Sequence, residues 1–125
     1  MQPQASLPTP STALPALMSE YLARSKPELF ALGQTVCTRN VVSWAADNLP
    51  EVLLEDNLWA CILIRAHSTG CWDELDKSDQ RLNYASLEPG NEGRILSAYT
   101  VLGEKIYVIT EEDRSVTTVL LASDY

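Results

Sequence analysis

The chain has 125 residues, a mass of 13.8 kDa and a formal net charge of −8. This length is typical of one domain, and a composition of 46% hydrophobic and 21% charged residues is typical of a globular protein rather than a disordered or fibrous one. Because a phosphate backbone repels a chain of this charge, we expect no direct binding to nucleic acid.

The sequence also indicates a cytoplasmic protein without a membrane anchor. The longest apolar run, residues 60–64, is too short to cross a bilayer of about 30 Å, and the N-terminus lacks the basic start and apolar centre of a signal peptide. The three cysteines, Cys37, Cys61 and Cys71, are an odd number without a close pair, which favours a reducing compartment.

In the N-terminal third, segments with proline or glycine alternate with segments whose apolar spacing is helical. Residues 1–15 hold four prolines and no charge, which predicts a disordered or extended arm. Apolar spacing then predicts a helix over 16–25, ended by Pro27. Residues 29–38 are typical of a turn around Gly33 followed by a short strand.

Three further helices are predicted before residue 90. Thr38 is a good N-cap for a helix over 39–48, with an inward face of Val41, Val42, Trp44 and Ala45. A third helix is predicted to follow Asp56, with Asp56 as its N-cap. The β-branched Ile62 and Ile64 leave a strand as the alternative for this segment. A fourth, over 76–87, would turn inward Leu75, Leu82 and Tyr84.

The C-terminal third predicts an antiparallel meander. Three β-rich runs, 94–102, 105–111 and 115–121, are separated by short polar turns. We therefore expect one α+β domain over 16–125, with three or four helices packed on a three- or four-stranded, mostly antiparallel sheet. Its predicted core comprises Leu29, Val36, Val41, Trp44, Ile62, Leu82, Leu96, Ile106, Val108, Val119 and Leu120.

The second half of the chain carries a recognisable pattern of polar and aromatic residues. The matching positions are His67, Gly70, Trp72, Asp79, Asn83, Arg94, Ser97 and Tyr99, then Thr110, Glu111, Asp113, Arg114, Ser115, Thr117, Thr118 and Tyr125. In these residues it resembles a family of small bacterial proteins of plasmids and other mobile elements, often labelled type I restriction subunit M-like. The chain departs from the pattern at Cys71, where the family has Asp, and at Asp73, where it has Gly.

The resemblance implies a compact domain carried on mobile DNA and supplies no mechanism. A methyltransferase needs a doubly wound sheet with a glycine-rich cofactor loop, and five glycines in so short a chain do not provide one. No Walker A loop and no Gly-x-Ser-x-Gly sequence occur either. We expect no cofactor.

Two groups of residues are candidates for chemistry. His67, the only histidine, has Asp73 nearby in sequence, and Asp79 and Asn83 complete a candidate catalytic set with His67 as a general base. The alternative for His67 is a structural residue at a helix C-terminus packed on Trp72. We also expect Asp79 to approach an arginine, Arg94 or Arg114, at a strand end.

The second candidate is a binding group. Its members are Trp72, Asp73, Arg94, Asp113, Arg114, Thr117 and Thr118, in which arginine would recognise an anion or a partner beside threonine hydroxyls. The alternative is a charged tight turn that sets strand register.

A zinc site is not expected. The three cysteines and His67 are the right ligand types, but no Cys-x-x-Cys pair occurs, and Cys37 and Cys61 are expected to be small buried residues. Acidic clusters at 73–79 and 111–113 either imitate phosphates in a DNA-binding groove or form a solvated surface.

Together these features predict an accessory protein of a plasmid or phage. It would bind a host protein, a component of defence or nucleic-acid processing, and act as an inhibitor rather than as an enzyme. The alternative is a small metal-independent hydrolase or transferase for a phosphorylated or nucleotide-like substrate, with His67 as base and Arg94 and Arg114 as anion clamp.

Overall fold

The computed structural model describes residues 13–125. Positions 1–12 of the predicted disordered arm, which was expected over 1–15, therefore lie outside the described residues. The first helix already begins at Ala13, three residues before its expected start. Pro15 is tolerated there because the N–H groups of a first helical turn have no acceptor within the helix.

Residues 13–125 form five helices and four strands. The helices are α1 (Ala13–Ala23), α2 (Arg39–Asn48), α3 (Glu51–Leu54), α4 (Leu58–Ser68) and α5 (Lys77–Ala85). The strands are β1 (Gln34–Cys37), β2 (Ile95–Val101), β3 (Glu104–Thr110) and β4 (Val116–Leu121). Short 3₁₀ turns cover Glu55–Asn57 and Ala122–Asp124. None of the helices in residues 13–125 is long and apolar enough to cross a membrane.

The sheet confirms the α+β prediction and refines its topology. The strand order is β1-β4-β3-β2, with β2, β3 and β4 forming the expected antiparallel meander. β1 joins β4 in parallel, so the sheet is mixed. Gly33 makes this pairing possible, because it has φ +65° and a Cβ there would overlap the carbonyls of Arg114 and Ser115.

Helices cover one face of the sheet and enclose the main core. Val108 and Val119 lie opposite each other in β3 and β4 and are fully buried beneath α2 and α4. Of the predicted core, the fully or nearly fully buried members are Val41, Ile62, Ile106, Val108, Val119 and Leu120. Trp44 and Leu96 are half-buried.

Three predicted core residues are exposed. Val36 lies on the edge strand β1, Leu29 in the loop before it, and Leu82 on the outer side of α5, where it is 65% exposed. On α2, Val41 and Ala45 are buried as expected, but Val42 is exposed. A strand at the edge of a sheet is covered on one side only, which explains why a β-branched residue there is not buried.

The fourth predicted helix exists as α5, with the opposite face inward. Asp76 is its N-cap and accepts from the Asp79 N–H at 2.9 Å. The buried residue is Asn83, whereas Leu82 and Tyr84 are exposed and Leu75 is half-buried. The helix packs on the sheet through a polar side chain because its target is the backbone of an edge strand.

The third predicted helix is confirmed as α4, and a strand there is ruled out. Its predicted cap is wrong, since Asp56 has φ +51° and Asn57, the N-cap, has φ +55° with no side-chain cap bond. Cys61 is exposed and Cys37 is half-buried, so Cys61 is not the buried residue that was expected.

Candidate functional site

His67 is placed by the C-terminus of α4. The helix ends in a Schellman motif, in which Cys71 N–H donates to the Ala66 carbonyl at 3.0 Å and Gly70, with φ +85°, occupies the left-handed position. This end directs the His67 side chain into the protein, where it is fully buried. The Phe30 and His67 rings pack edge to face, with their centroids 5.1 Å apart. His67 does not pack on Trp72 as its structural alternative proposed.

Both ring nitrogens of His67 are hydrogen-bonded. Nδ1 lies 2.5 Å from Ser97 Oγ, and Nε2 lies 2.8 Å from Thr110 Oγ1. Thr110 Oγ1 continues at 2.6 Å to Thr117 Oγ1, which donates to the Leu32 carbonyl at 2.7 Å. A row of four side chains thus crosses the sheet under α4 and ends on the backbone.

The hydrogen count fixes the direction of this row. Each hydroxyl has one hydrogen, and Thr117 uses its own on Leu32, so Thr110 must donate to Thr117. Nε2 of His67 therefore carries the proton and donates to Thr110, while Nδ1 accepts from Ser97. Neutral imidazole satisfies every member of the row.

The surroundings also favour neutral imidazole. Burial, and secondarily the positive charge of Arg114, lower the pKa of His67 to about 3. A general base at neutral pH needs an accessible nitrogen and a pKa near the working pH. His67 has neither, and the geometry gives it a structural part.

The Arg114 side chain is bound to backbone carbonyls of the fold. Its guanidinium donates to four of them, those of Gly93 at 2.7 Å, Ser86 at 2.8 Å, Glu111 at 3.1 Å and Glu112 at 3.2 Å. It also lies over the Phe30 ring at 5.8 Å. Through Nη1 and Nη2 the side chain joins the β3–β4 turn to the C-terminus of α5.

The remaining candidates for catalysis make no hydrogen bond to His67 within residues 13–125. Asn83 Nδ2 donates to the Leu96 carbonyl at 2.8 Å, and its Oδ1 accepts from the Leu96 N–H at 3.2 Å. Asp79 is exposed, and no ion pair joins it to an arginine within residues 13–125, so the expected approach is wrong. Arg94 instead pairs with Glu111 at 3.2 Å and donates to the Tyr125 hydroxyl at 2.8 Å.

The binding candidates come together only in part, since Arg94 and Asp113 line one crevice. Trp72 is buried against Tyr84, with ring centroids 5.0 Å apart, whereas Asp73 is exposed. Asp113 accepts from the Ser115 N–H at 3.0 Å and closes the β3–β4 turn. In β4, successive side chains point to opposite faces, so Thr117 joins the His67 row while Thr118 lies on the far face.

No group of three or more potential metal ligands occurs among residues 13–125. Burial raises the pKa of the Cys37 thiol, with Cys61 adding to the effect. The thiolate form that a metal requires is therefore disfavoured at Cys37.

The structure also has an apolar groove that sequence reasoning missed. It has a volume of about 420 Å³ and is lined by Leu14, Pro15, Met18, Leu49, Pro50, Leu53, Val101 and Leu102, which we call the apolar groove. The first helix, the α2–α3 junction and the β2–β3 turn each contribute a wall. This volume is within the range of sites that hold a ligand or an anchoring side chain.

Leu102 is the unusual member of the apolar groove. It is 53% exposed and has φ +51°, followed by Gly103 with φ +81°, so the two residues form a type I′ turn between Val101 and Glu104. Asn or Asp normally takes the first position of this turn, because other side chains are strained there. The Leu-Gly pair between two β-rich runs is the sequence signal for this turn, which forms one of the three walls of the groove.

A scan against protein-family models, a search of curated proteins and a search of solved structures return no match. The resemblance to mobile-element proteins therefore stays a prediction, and the functional argument depends on the geometry.

Proposed function

We propose that this chain is a non-enzymatic accessory protein that works by binding another protein through the apolar groove. Following the resemblance to mobile-element proteins, the partner would be a protein of the bacterial host. It would belong to the host's defence or nucleic-acid-processing machinery. The observation that carries the proposal is Leu102, an exposed leucine held in a strained turn position beside an apolar groove.

Strain at Leu102 supports a binding role. A residue in the left-handed region costs about 1 kcal/mol or more unless it is Gly, Asn or Asp. Asparagine would stabilise the hairpin and would also be compatible with solvent. A leucine there contributes nothing to the turn, but it presents an apolar side chain at the mouth of the groove, which is where interfaces have their anchoring contacts.

Charge at the rim indicates the chemistry of the partner. Glu51 is exposed between Pro50 and Leu53, and Glu104 follows the β2–β3 turn on the groove side of β3. The adjacent Lys105 points to the opposite face of the sheet, since strand residues alternate. The rim therefore fits a partner segment with apolar residues at helical spacing flanked by Lys or Arg.

The alternative, a hydrolase or transferase, has less support. Its base His67 has both nitrogens occupied, and its clamp residues Arg94 and Arg114 bind Glu111 and backbone carbonyls respectively. The crevice beside Arg94 is lined otherwise by Glu111, Glu112, Asp113 and Ser115, a set that repels a phosphate.

A peptide titration tests the chemistry of the groove. The probe is a synthetic amphipathic helix with leucines at i, i+3 and i+7 separated by lysines, and its control has glutamates in place of the lysines. With the ¹⁵N-labelled full chain, we expect the basic peptide to shift the amide signals of Met18, Leu53 and Val101. The acidic peptide should bind with an affinity at least about tenfold lower. Unchanged groove amides with both peptides would contradict the proposal.

A photocrosslink tests the partner. A photoreactive amino acid replaces Leu102 in one variant and Leu82 in the control, where the side chain is 65% exposed on α5 away from the groove. In bacterial cells carrying the parent element, we expect one discrete protein adduct from position 102 and none from position 82. Equal adducts at both positions, or none at 102, would remove the groove as the binding site.

A further inference from the structure

The two edges of the sheet differ in how their backbone groups are satisfied. At the β2 edge, the Asn83 amide makes two hydrogen bonds to Leu96, and Glu74 accepts from the Thr100 N–H at 2.8 Å and from its hydroxyl at 2.7 Å. Ala98, between these points, is 4% exposed. Side chains therefore close this edge against pairing with another strand.

The β1 edge has no such cover among residues 13–125. Gln34 N–H donates to the Ser115 carbonyl and Thr38 N–H to the Val119 carbonyl, so even-numbered residues of β1 face β4. The N–H and C=O groups of Thr35 and Cys37 consequently point outward, and none of them has a partner within the described part of the chain. Gln34, Thr35 and Val36 are exposed.

The composition of β1 increases its tendency to pair. Residues 33–38 carry no charge and no proline in a chain of net charge −8, although charged residues and proline are the usual protection of an edge strand. β-Branched side chains occupy three of these six positions, Thr35, Val36 and Thr38, and favour a paired strand.

We infer that β1 is a self-association edge, at which a second copy of this chain adds its own β1 in antiparallel orientation. With Val36 on the two-fold axis, Thr35 of each copy faces Cys37 of the other, and the four outward backbone groups of each strand make four hydrogen bonds in total. The two Val36 side chains meet as a non-hydrogen-bonded pair.

Charge favours a second copy over an unrelated strand. The same register places Arg39 of one copy opposite Gly33 of the other, beside the turn that holds Glu112 and Asp113. Arg39 is exposed and makes no ion pair within residues 13–125. The pairing thus brings Arg39 of each copy near the acidic turn of the other, which gives two equivalent contacts related by the two-fold axis. This inference is independent of the apolar groove.

The contact is small, so the dimer should be weak. Three paired residues per copy, Thr35 to Cys37, bury much less than the roughly 800 Å² per partner of a stable complex. In sedimentation equilibrium up to about 1 mM protein, we expect the weight-average mass of the full chain to rise with concentration from 13.8 kDa toward twice that value. A mass that stays at 13.8 kDa at all concentrations would overturn the inference.

Substitutions test the edge itself. Val36→Lys places two ammonium groups against each other on the axis and should weaken the dimer at least about tenfold, whereas Val52→Lys, at an exposed valine on α3, should not change it. Thr35→Lys, also at an exposed position, provides a second test if Val36→Lys alters the circular-dichroism spectrum. Arg39→Glu should weaken the dimer, and Glu112→Arg in the same chain should restore it. A dimer that both edge lysines leave intact would place the contact elsewhere.

A disulfide tests the register. In a chain whose three native cysteines are replaced by serine, Val36→Cys brings two Cα atoms to about 4.5 Å across the axis, within the range of a disulfide. Thr35→Cys is the matched control, because its two copies lie diagonally at about 7–8 Å. Rapid oxidation of the first and slow oxidation of the second is the expected result, and the reverse order would exclude this pairing.

Discussion

The His67 row and the apolar groove use residue types in opposite ways. The row holds the histidine, hydroxyls and neighbouring arginine from which enzymes build active sites, yet each of these groups is satisfied by another inside the fold. The groove holds residues that normally build cores, yet Leu102 is 53% exposed at its mouth. Residue type alone points to the row as the functional region, whereas the degree to which each group is satisfied is what supports our proposal for the groove.

The largest expected effect comes from the arginine beside the row. Arg114→Ala leaves the carbonyls of Ser86 and Gly93 without their donor and should lower the free energy of unfolding by about 3 kcal/mol. Its matched control, Arg94→Ala, removes a surface ion pair whose side chains are 49% and 38% exposed and should cost about 1 kcal/mol at most. Urea denaturation of both variants decides the matter, and equal midpoints would show that Arg114 is no more structural than Arg94.

Acid should weaken the fold through the row. Because the pKa of His67 is lowered to about 3 from an ordinary 6.5, the unfolded chain binds a proton between these values that the folded chain does not. The contribution of His67 to the free energy of unfolding is therefore fully present above pH 6.5. It is lost as the pH falls, by up to about 1.4 kcal/mol per pH unit.

The window from pH 6 to pH 5 isolates this effect. His67 is the only histidine, and the pKa values of Asp76 and Asp113 are lowered from 3.8 by hydrogen bonds from Asp79 N–H and from Ser115, respectively, so these two act at lower pH. Denaturation midpoints that do not change across this window would indicate that His67 titrates alike in both states.

The closed β2 edge gives the next effect. Asn83→Ala removes both hydrogen bonds to Leu96 and should cost about 2 kcal/mol, because a part-buried N–H and C=O lose their partners. Leu82→Ala, at the neighbouring exposed position, should cost less than about 0.5 kcal/mol. A larger loss of thermal stability at Leu82 would mean that α5 packs through its apolar face after all.

The smallest stability effect is expected in the groove, with a favourable sign. Leu102→Asn relieves the strained turn and should leave the free energy of unfolding unchanged or raise it by up to about 1 kcal/mol. The same variant should lose binding of the basic peptide. A destabilised Leu102→Asn that still binds the peptide would reverse the assignment of structure and function between the two regions.

Much of the fold follows from local patterns in the sequence. Thr38 accepts from the Val41 N–H as an N-cap should, and the three predicted β-runs match β2, β3 and β4 to within one residue at every end. These signals are local, since caps and alternation act within a few residues. The parallel pairing of β1 with β4 is a contact between distant segments and has no local signature.

The candidate site was predictable only in its residue types. Asn83, His67 and Arg114 were singled out as chemically capable, and all three make hydrogen bonds that stabilise the fold. Which partner a polar side chain finds depends on the packing of α4 and α5 against the sheet, and that packing cannot be derived from spacing along the chain. The groove escaped prediction for the same reason, as its walls come from three distant segments.

The most direct test of the account is the protonation state of the His67 ring. A long-range ¹H–¹⁵N correlation spectrum at pH 7 should show the Nε2–H tautomer, with the proton directed at Thr110, and its shifts should stay constant down to about pH 4. An Nδ1–H tautomer, or a titration near pH 6.5, would contradict the account and would restore His67 as a candidate base.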